Sequence, residues 1–135
     1  MDIRGTWKIK ELHVLTEDGE LIFTPDNPPT DEDYEGYAKM LPCLTEFADD
    51  GVMNTLMPVP EDLKEEAQAE GIVIRDDGYG VIESTVWKEE NGRFWYDTKI
   101  EGEALGETVD PYEEIKVTED GCLRYGLGVF VLERV

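Results

Sequence analysis

Apolar and polar positions alternate in short runs along most of the chain, and the runs are cut by Asp-Gly or Asn-Gly pairs. These pairs fall at Asp18-Gly19, Asp50-Gly51, Asp77-Gly78, Asn91-Gly92 and Asp120-Gly121, between stretches rich in Val, Ile, Thr and aromatic residues. A period of two is that of a half-buried strand, and a Gly after Asp or Asn supplies the left-handed backbone that hairpin turns use. Two further small, polar or acidic residues come first in Thr16-Glu17-Asp18-Gly19, Ala48-Asp49-Asp50-Gly51, Glu89-Glu90-Asn91-Gly92 and Thr118-Glu119-Asp120-Gly121. That pattern predicts a type I turn closing on Gly in a bulge.

Reading outward from the turns predicts strands near residues 5–15, 20–24, 43–48, 52–57, 72–75, 80–88, 93–100, 112–118, 122–126 and 128–134. A meander of that many strands leaves two open edges, and closure removes both. The predicted fold is therefore mainly β: an antiparallel up-and-down β-barrel of about 8 to 10 strands with one or two short helices. The first helix follows Thr30-Asp31-Glu32-Asp33-Tyr34, a capping-box pattern with Asp in place of Glu, and carries Tyr37, Ala38 and Leu41 at helical spacing. The second runs from Pro60 to Glu70 with a narrow Leu63 and Ala67 face, and Gly71 stops it. Both are expected to cap barrel mouths.

Pairing across Asp50-Gly51 sets Phe47 against Met53, Thr45 against Thr55 and Cys43 against Met57, giving one apolar face. Around Asn91-Gly92, Phe94, Tyr96, Thr98 and Ile100 share a face, with Trp95, Asp97 and Lys99 on the other. Loop length there decides whether Val86 or Trp87 joins the inner set.

Charge narrows the functional classes. Lys and Arg number 12 and Asp and Glu 33, a formal balance of −21. Such a chain repels phosphate backbones and anionic membranes, so neither nucleic-acid binding nor membrane insertion is expected. Leu, Ile, Val and Phe make up 34 of 135 residues, enough to support a core against that charge. The start Met-Asp-Ile-Arg-Gly-Thr-Trp has no basic-then-apolar leader pattern, which points to a cytoplasmic protein. Cys43 and Cys122 fit no CxxC spacing and read as buried small hydrophobes.

Little reads as catalytic chemistry. His13 is the only histidine, so a histidine metal cluster is impossible and a Ser-His-Asp triad would hang on it alone. Asp31, Asp33, Glu35 and Gly36 imitate the first half of a calcium loop, but Pro42 stands where the bidentate Glu is needed. No cofactor, metal or enzymatic activity is expected.

Gly5-Thr6-Trp7-Lys8 in the first strand, about ten strands, a length of 135 and a basic residue in Leu132-Glu133-Arg134-Val135 together resemble the calycin group. That group includes lipocalins and intracellular fatty-acid-binding proteins. The resemblance implies one calycin-like barrel domain over residues 1–135 around a ligand cavity, with Trp7 packed at its closed end and Arg134 beside it as a structural pair. The positions matching the Arg-x-Tyr carboxylate clamp of the fatty-acid-binding proteins hold Phe130 and Leu132, so no clamp is implied.

The leading expectation is a barrel that binds a small apolar or amphipathic ligand, lined by Phe47, Met53, Met57, Phe94, Tyr96 and Ile100. Glu11 and His13, which share parity with Trp7, are the candidate polar groups inside, and Thr45 with Thr55 are the weaker pair. A bulge that turns Glu11 and His13 to solvent and brings Leu12 and Val14 inward is the open alternative. The competing class is an acidic interaction module, its core filled, engaging a basic protein partner through its surface and an exposed Trp95.

Overall fold

The structure, a computed structural model, describes residues 2–98, 103–104, 107–108, 111–126 and 128–135. The strands are β1 (Gly5–Thr16), β2 (Gly19–Phe23), β3 (Leu44–Phe47), β4 (Val52–Pro58), β5 (Val73–Ile74), β6 (Tyr79–Glu90), β7 (Arg93–Asp97), β8 (Glu103–Ala104), β9 (Glu107–Thr108), β10 (Tyr112–Val117), β11 (Leu123–Tyr125) and β12 (Phe130–Arg134). Helix α1 (Glu35–Met40) lies between β2 and β3, and α2 (Lys64–Ala69) between β4 and β5, each entered through a short 3-10 turn. No helix among the described residues is long and apolar enough to cross a membrane.

Eight antiparallel strands close a barrel: β1 pairs with β3, and the series β3, β4, β6, β7, β10, β11 and β12 returns to the other edge of β1. The two remaining strands of this sheet extend the wall. Leu12 pairs with both Phe130 and Phe23, so β2 takes the β1 edge that β3 leaves free. In the same way β5 occupies the edge of β6 that β7 takes further along.

The turns use the backbone freedom of Gly. Gly51 and Gly121 sit at φ +85° and +81° and donate to the carbonyls of Ala48 and Thr118, closing three-residue loops with a left-handed Gly as the pattern predicts. The turn at Asn91-Gly92 differs from the predicted bulge. Both residues have positive φ, 56° and 78°, and Glu90 faces Arg93, which is a two-residue turn of the primed type. This pairs Trp87 with Tyr96 and puts Trp87, not Val86, in the inner set.

The core fills one end of the barrel. Trp7, Ile3, Leu123 and Leu132 are fully buried, and Phe47 packs edge-on against Trp87 with ring centroids 5.6 Å apart. The Trp87 indole N–H donates to the Ala48 carbonyl at 3.2 Å, and that of Trp7 to Ile3 at 2.8 Å. On the outer face, Ser84 donates to Asn54, Asn54 donates to Glu46, and Arg75 pairs with Glu46 at 3.0 Å, which ties β6, β4 and β3 to the turn after β5.

The 3-10 turn that leads into α1 starts one residue later than the capping pattern placed the helix: Asp31, not Thr30, accepts the Asp33 N–H at 3.0 Å, and α1 itself begins only at Glu35. Tyr34 and Tyr37 pack on Phe23 of β2, with centroids 5.6 and 6.5 Å away, and hold α1 beside the open end. Helix α2 does not join it there. It packs on β5 with Ala67 buried and Leu63 exposed, so only α1 contributes to the mouth.

Candidate functional site

The open half of the barrel holds a cavity of about 340 Å³. Alternation explains its wall. Trp7, Phe47 and Trp87 form the floor, and the next inward residue on each strand toward the mouth lines the space: Ile9 on β1, Thr45 on β3 and Thr85 on β6. Met53 on β4 and Phe130 on β12 complete the middle level. Thr55, Glu83 and Thr98 stand nearer the mouth with Cys43, Ile82 and Met40 of α1.

One side of the cavity is aromatic. The rings of Tyr96 and Tyr125 meet edge-on with centroids 5.2 Å apart, and Tyr125 stacks on Phe130 at 5.1 Å. The Tyr96 hydroxyl donates to Glu113, its directly opposite neighbour on β10. Burial and that carboxylate push the Tyr96 phenol well above the ordinary tyrosine range. Burial pushes the Tyr125 phenol up to about 12, against a hydrogen bond with Thr45 that pulls it down. Burial also pushes the Cys43 thiol up, which leaves it protonated and unreactive.

Several residues expected in the lining lie elsewhere. Phe47 and Phe94 are 1% and 4% exposed and belong to the packed floor. Met57 lies in a separate groove with Pro58, Val59 and Leu63, beside α2. The register between β4 and β6 shifts between Thr55 and Leu56, leaving Ile82 of β6 unpaired, while β4 keeps its own alternation and carries Met57 beyond Thr55 to the groove beside α2. Ile100 falls outside the described residues. Met53 and Tyr96 do line the cavity, as do Thr45 and Thr55.

Glu11 and His13 do not point inside, because β1 bulges between Ile9 and Glu11. The extra residue reverses parity, so Leu12 and Val14 turn inward, 0% and 7% exposed. Glu11 faces Val131, whose chain neighbours Phe130 and Leu132 point into the barrel, so Glu11 shares the outer face. There His13 lies 3.0 Å from Glu20, 3.4 Å from Glu11 and 3.5 Å from Arg124, an outer-wall polar cluster across β2, β1 and β11. Trp95, expected on the surface, is half-buried.

At the closed end Trp7 faces Arg134 directly, with the guanidinium carbon 4.4 Å from the indole centroid. Glu83, Thr85, Tyr125 and Phe130 are among the lining residues that the sequence reading missed, with Met40 and Ile82 at the mouth. The two-residue reading of Asn91-Gly92 reaches two of them, since it fixes Trp87 opposite Tyr96 and alternation then turns Thr85 and Glu83 inward. No protein-family model, curated protein or solved structure matches this chain.

Proposed function

We propose that the protein is a calycin-like carrier that binds a small apolar or amphipathic molecule in its barrel and does not transform it. The observation that carries this reading is the cavity of about 340 Å³, which falls within the range of small-molecule sites and has Ile9, Met53 and Phe130 for apolar contact beside Thr45, Thr55 and Thr85 for orientation. Met53 and Met40 give the wall an adaptable surface. The buried, protonated Cys43 thiol supports binding over catalysis. Free Cys43 and Cys122 support a reducing, cytoplasmic setting.

The test is uptake of an environment-sensitive apolar dye by the purified chain, followed by its displacement with alcohols of increasing tail length. Saturable uptake with one site per chain is the expected result. Absence of uptake would reject the carrier and leave the acidic surface and a basic protein partner as the better account.

A further inference from the structure

The cavity is one-sided in charge. Among the described residues its lining includes two acidic residues, Glu83 and Asp97, but no Lys, Arg or His. Strand register separates the two acids concerned. Glu83 faces Thr55 and lies one step along β6 from the Thr85–Met53 pair, so it shares their inward face, and it has no ion pair among the described residues. Asp97 neighbours inward Tyr96 and so turns its side chain outward. Its contribution to the wall is its carbonyl, which accepts from the Thr85 hydroxyl at 2.8 Å.

A second inward carboxylate, Glu113, stands opposite Tyr96 and accepts its hydroxyl. Glu83 and Glu113 both act electrostatically on Tyr96 and Tyr125, which locates the two acids around the same pair of rings. A ligand head at the mouth therefore meets the Glu83 carboxylate and the negative faces of aromatic rings, with Glu113 behind the Tyr96 hydroxyl. An anionic head is repelled there, and a neutral one gains only hydrogen bonds to Thr hydroxyls. A cation gains from both surroundings. The chain's net charge of −21 adds a field that concentrates cations at the opening.

We propose that the cavity selects amphipathic organic cations, with an amine or quaternary ammonium head held at the mouth between Glu83 and the Tyr96 ring and an apolar body lying inward against Met53, Ile9 and Phe130. This selectivity rests on the carrier reading above.

The test is dye displacement by three ligands with one tail and different heads: octyltrimethylammonium, octanol and octanoate. It is run in high salt, where attraction to the distant surface charge is screened. On the unaltered chain the ammonium should displace the dye at a concentration on the order of tenfold below that of octanol, and octanoate should be weakest. Glu83→Gln should bring the ammonium to the level of octanol without moving octanol, and Glu65→Gln on α2 should change nothing. Equal displacement by the three heads, which needs no variant to observe, would overturn the proposal and leave the carrier reading intact. A cation preference that survives Glu83→Gln, or falls equally with Glu65→Gln, would overturn it as well. Failure of octanol itself to displace, with no dye uptake, would overturn the carrier reading and this inference together.

Discussion

Trp7 and Arg134 oppose each other across the seam that closes the barrel, the guanidinium carbon 4.4 Å from the indole centroid. The same guanidinium donates to the carbonyls of Asp2 and Arg4, so it binds the segment before β1 to the last strand. Gly5 makes room for it. Its φ is +124°, and a Cβ there would stand 3.3 Å from Arg134 Nη1, which gives the Gly5-Thr6-Trp7 spacing a physical reason.

Arg134→Ala should therefore lower stability in urea by about 1 to 2 kcal/mol, through loss of the cation–π contact and of the hydrogen bonds to the two carbonyls. Arg134→Lys should recover only part of this, because an ammonium cannot lie flat on the indole while reaching both carbonyls. Gly5→Ala should cost about 1 kcal/mol or more. Dye uptake should persist in all three, since the seam lies at the opposite end from the mouth. Unchanged urea midpoints would show that the strand ladder alone holds the seam.

Folding this chain concentrates a charge of −21. Added salt should raise the melting temperature at neutral pH, because screening weakens the net repulsion more than it weakens scattered surface pairs. An insensitive melting temperature would mean that local pairs neutralise the acids where they stand.

The Glu46–Arg75 pair behaves oppositely to the bulk charge. The hydrogen bond from Arg75 holds the Glu46 carboxyl below the usual range, with a smaller contribution from Asn54. A lowered folded value means that the unfolded chain takes up the proton first. The pair's stabilisation is then complete above the unfolded carboxylate range and lost as pH falls through the folded value. Parent protein and Glu46→Gln should differ by about 1 kcal/mol at pH 7 and converge only as pH falls through the folded Glu46 value, below the usual carboxylate range. A difference that stays constant with pH would assign the effect to packing.

Tyr96 and Tyr125 should be withheld from an alkaline spectrophotometric titration. Burial raises the Tyr125 phenol to about 12, while Tyr96 is raised by burial and by Glu113. The native chain keeps protons that the unfolded chain releases near pH 10, so stability is complete below that pH and falls as pH rises through the folded values. Glu113→Gln should move Tyr96 back toward the ordinary range without returning it there, because burial remains. If Tyr96 and Tyr125 titrate near pH 10 with the fold intact, the aromatic wall is wetter than the geometry shows.

Strand positions and closure were legible because they depend on period and on Gly placement, which are local. The inward residues were less so, because one extra residue reverses every later side chain on a strand. At Ile9/Glu11 nothing in Lys10-Glu11-Leu12-His13 signals a bulge other than the unfavourable prospect of burying Glu11 and His13. Met57 has the parity of Met53 and Thr55 but lies past the cavity, in the groove beside α2. Phe47 and Phe94 have the correct parity and the wrong depth. Alternation tells which face a residue takes, whereas distance from the floor depends on how far each strand is sheared against the next.

Depth is what makes Met53 the decisive position. It faces Phe47 on β3 and Thr85 on β6, is 5% exposed, and borders both the packed floor and the cavity. In Met53→Trp the indole has open space toward the mouth, so the substitution should cost less than about 1 kcal/mol while displacing the volume that a ligand needs. Dye uptake should be lost. Met57→Trp serves as the control, since Met57 lies in the groove beside α2 and the change should leave uptake as it was. A barrel filled by its own side chains gives another outcome: Met53→Trp would overpack the interior, cost roughly 1 to 3 kcal/mol, and start from a parent that takes up no dye. Loss of uptake in Met57→Trp with retention in Met53→Trp would move the binding site to the α2 groove.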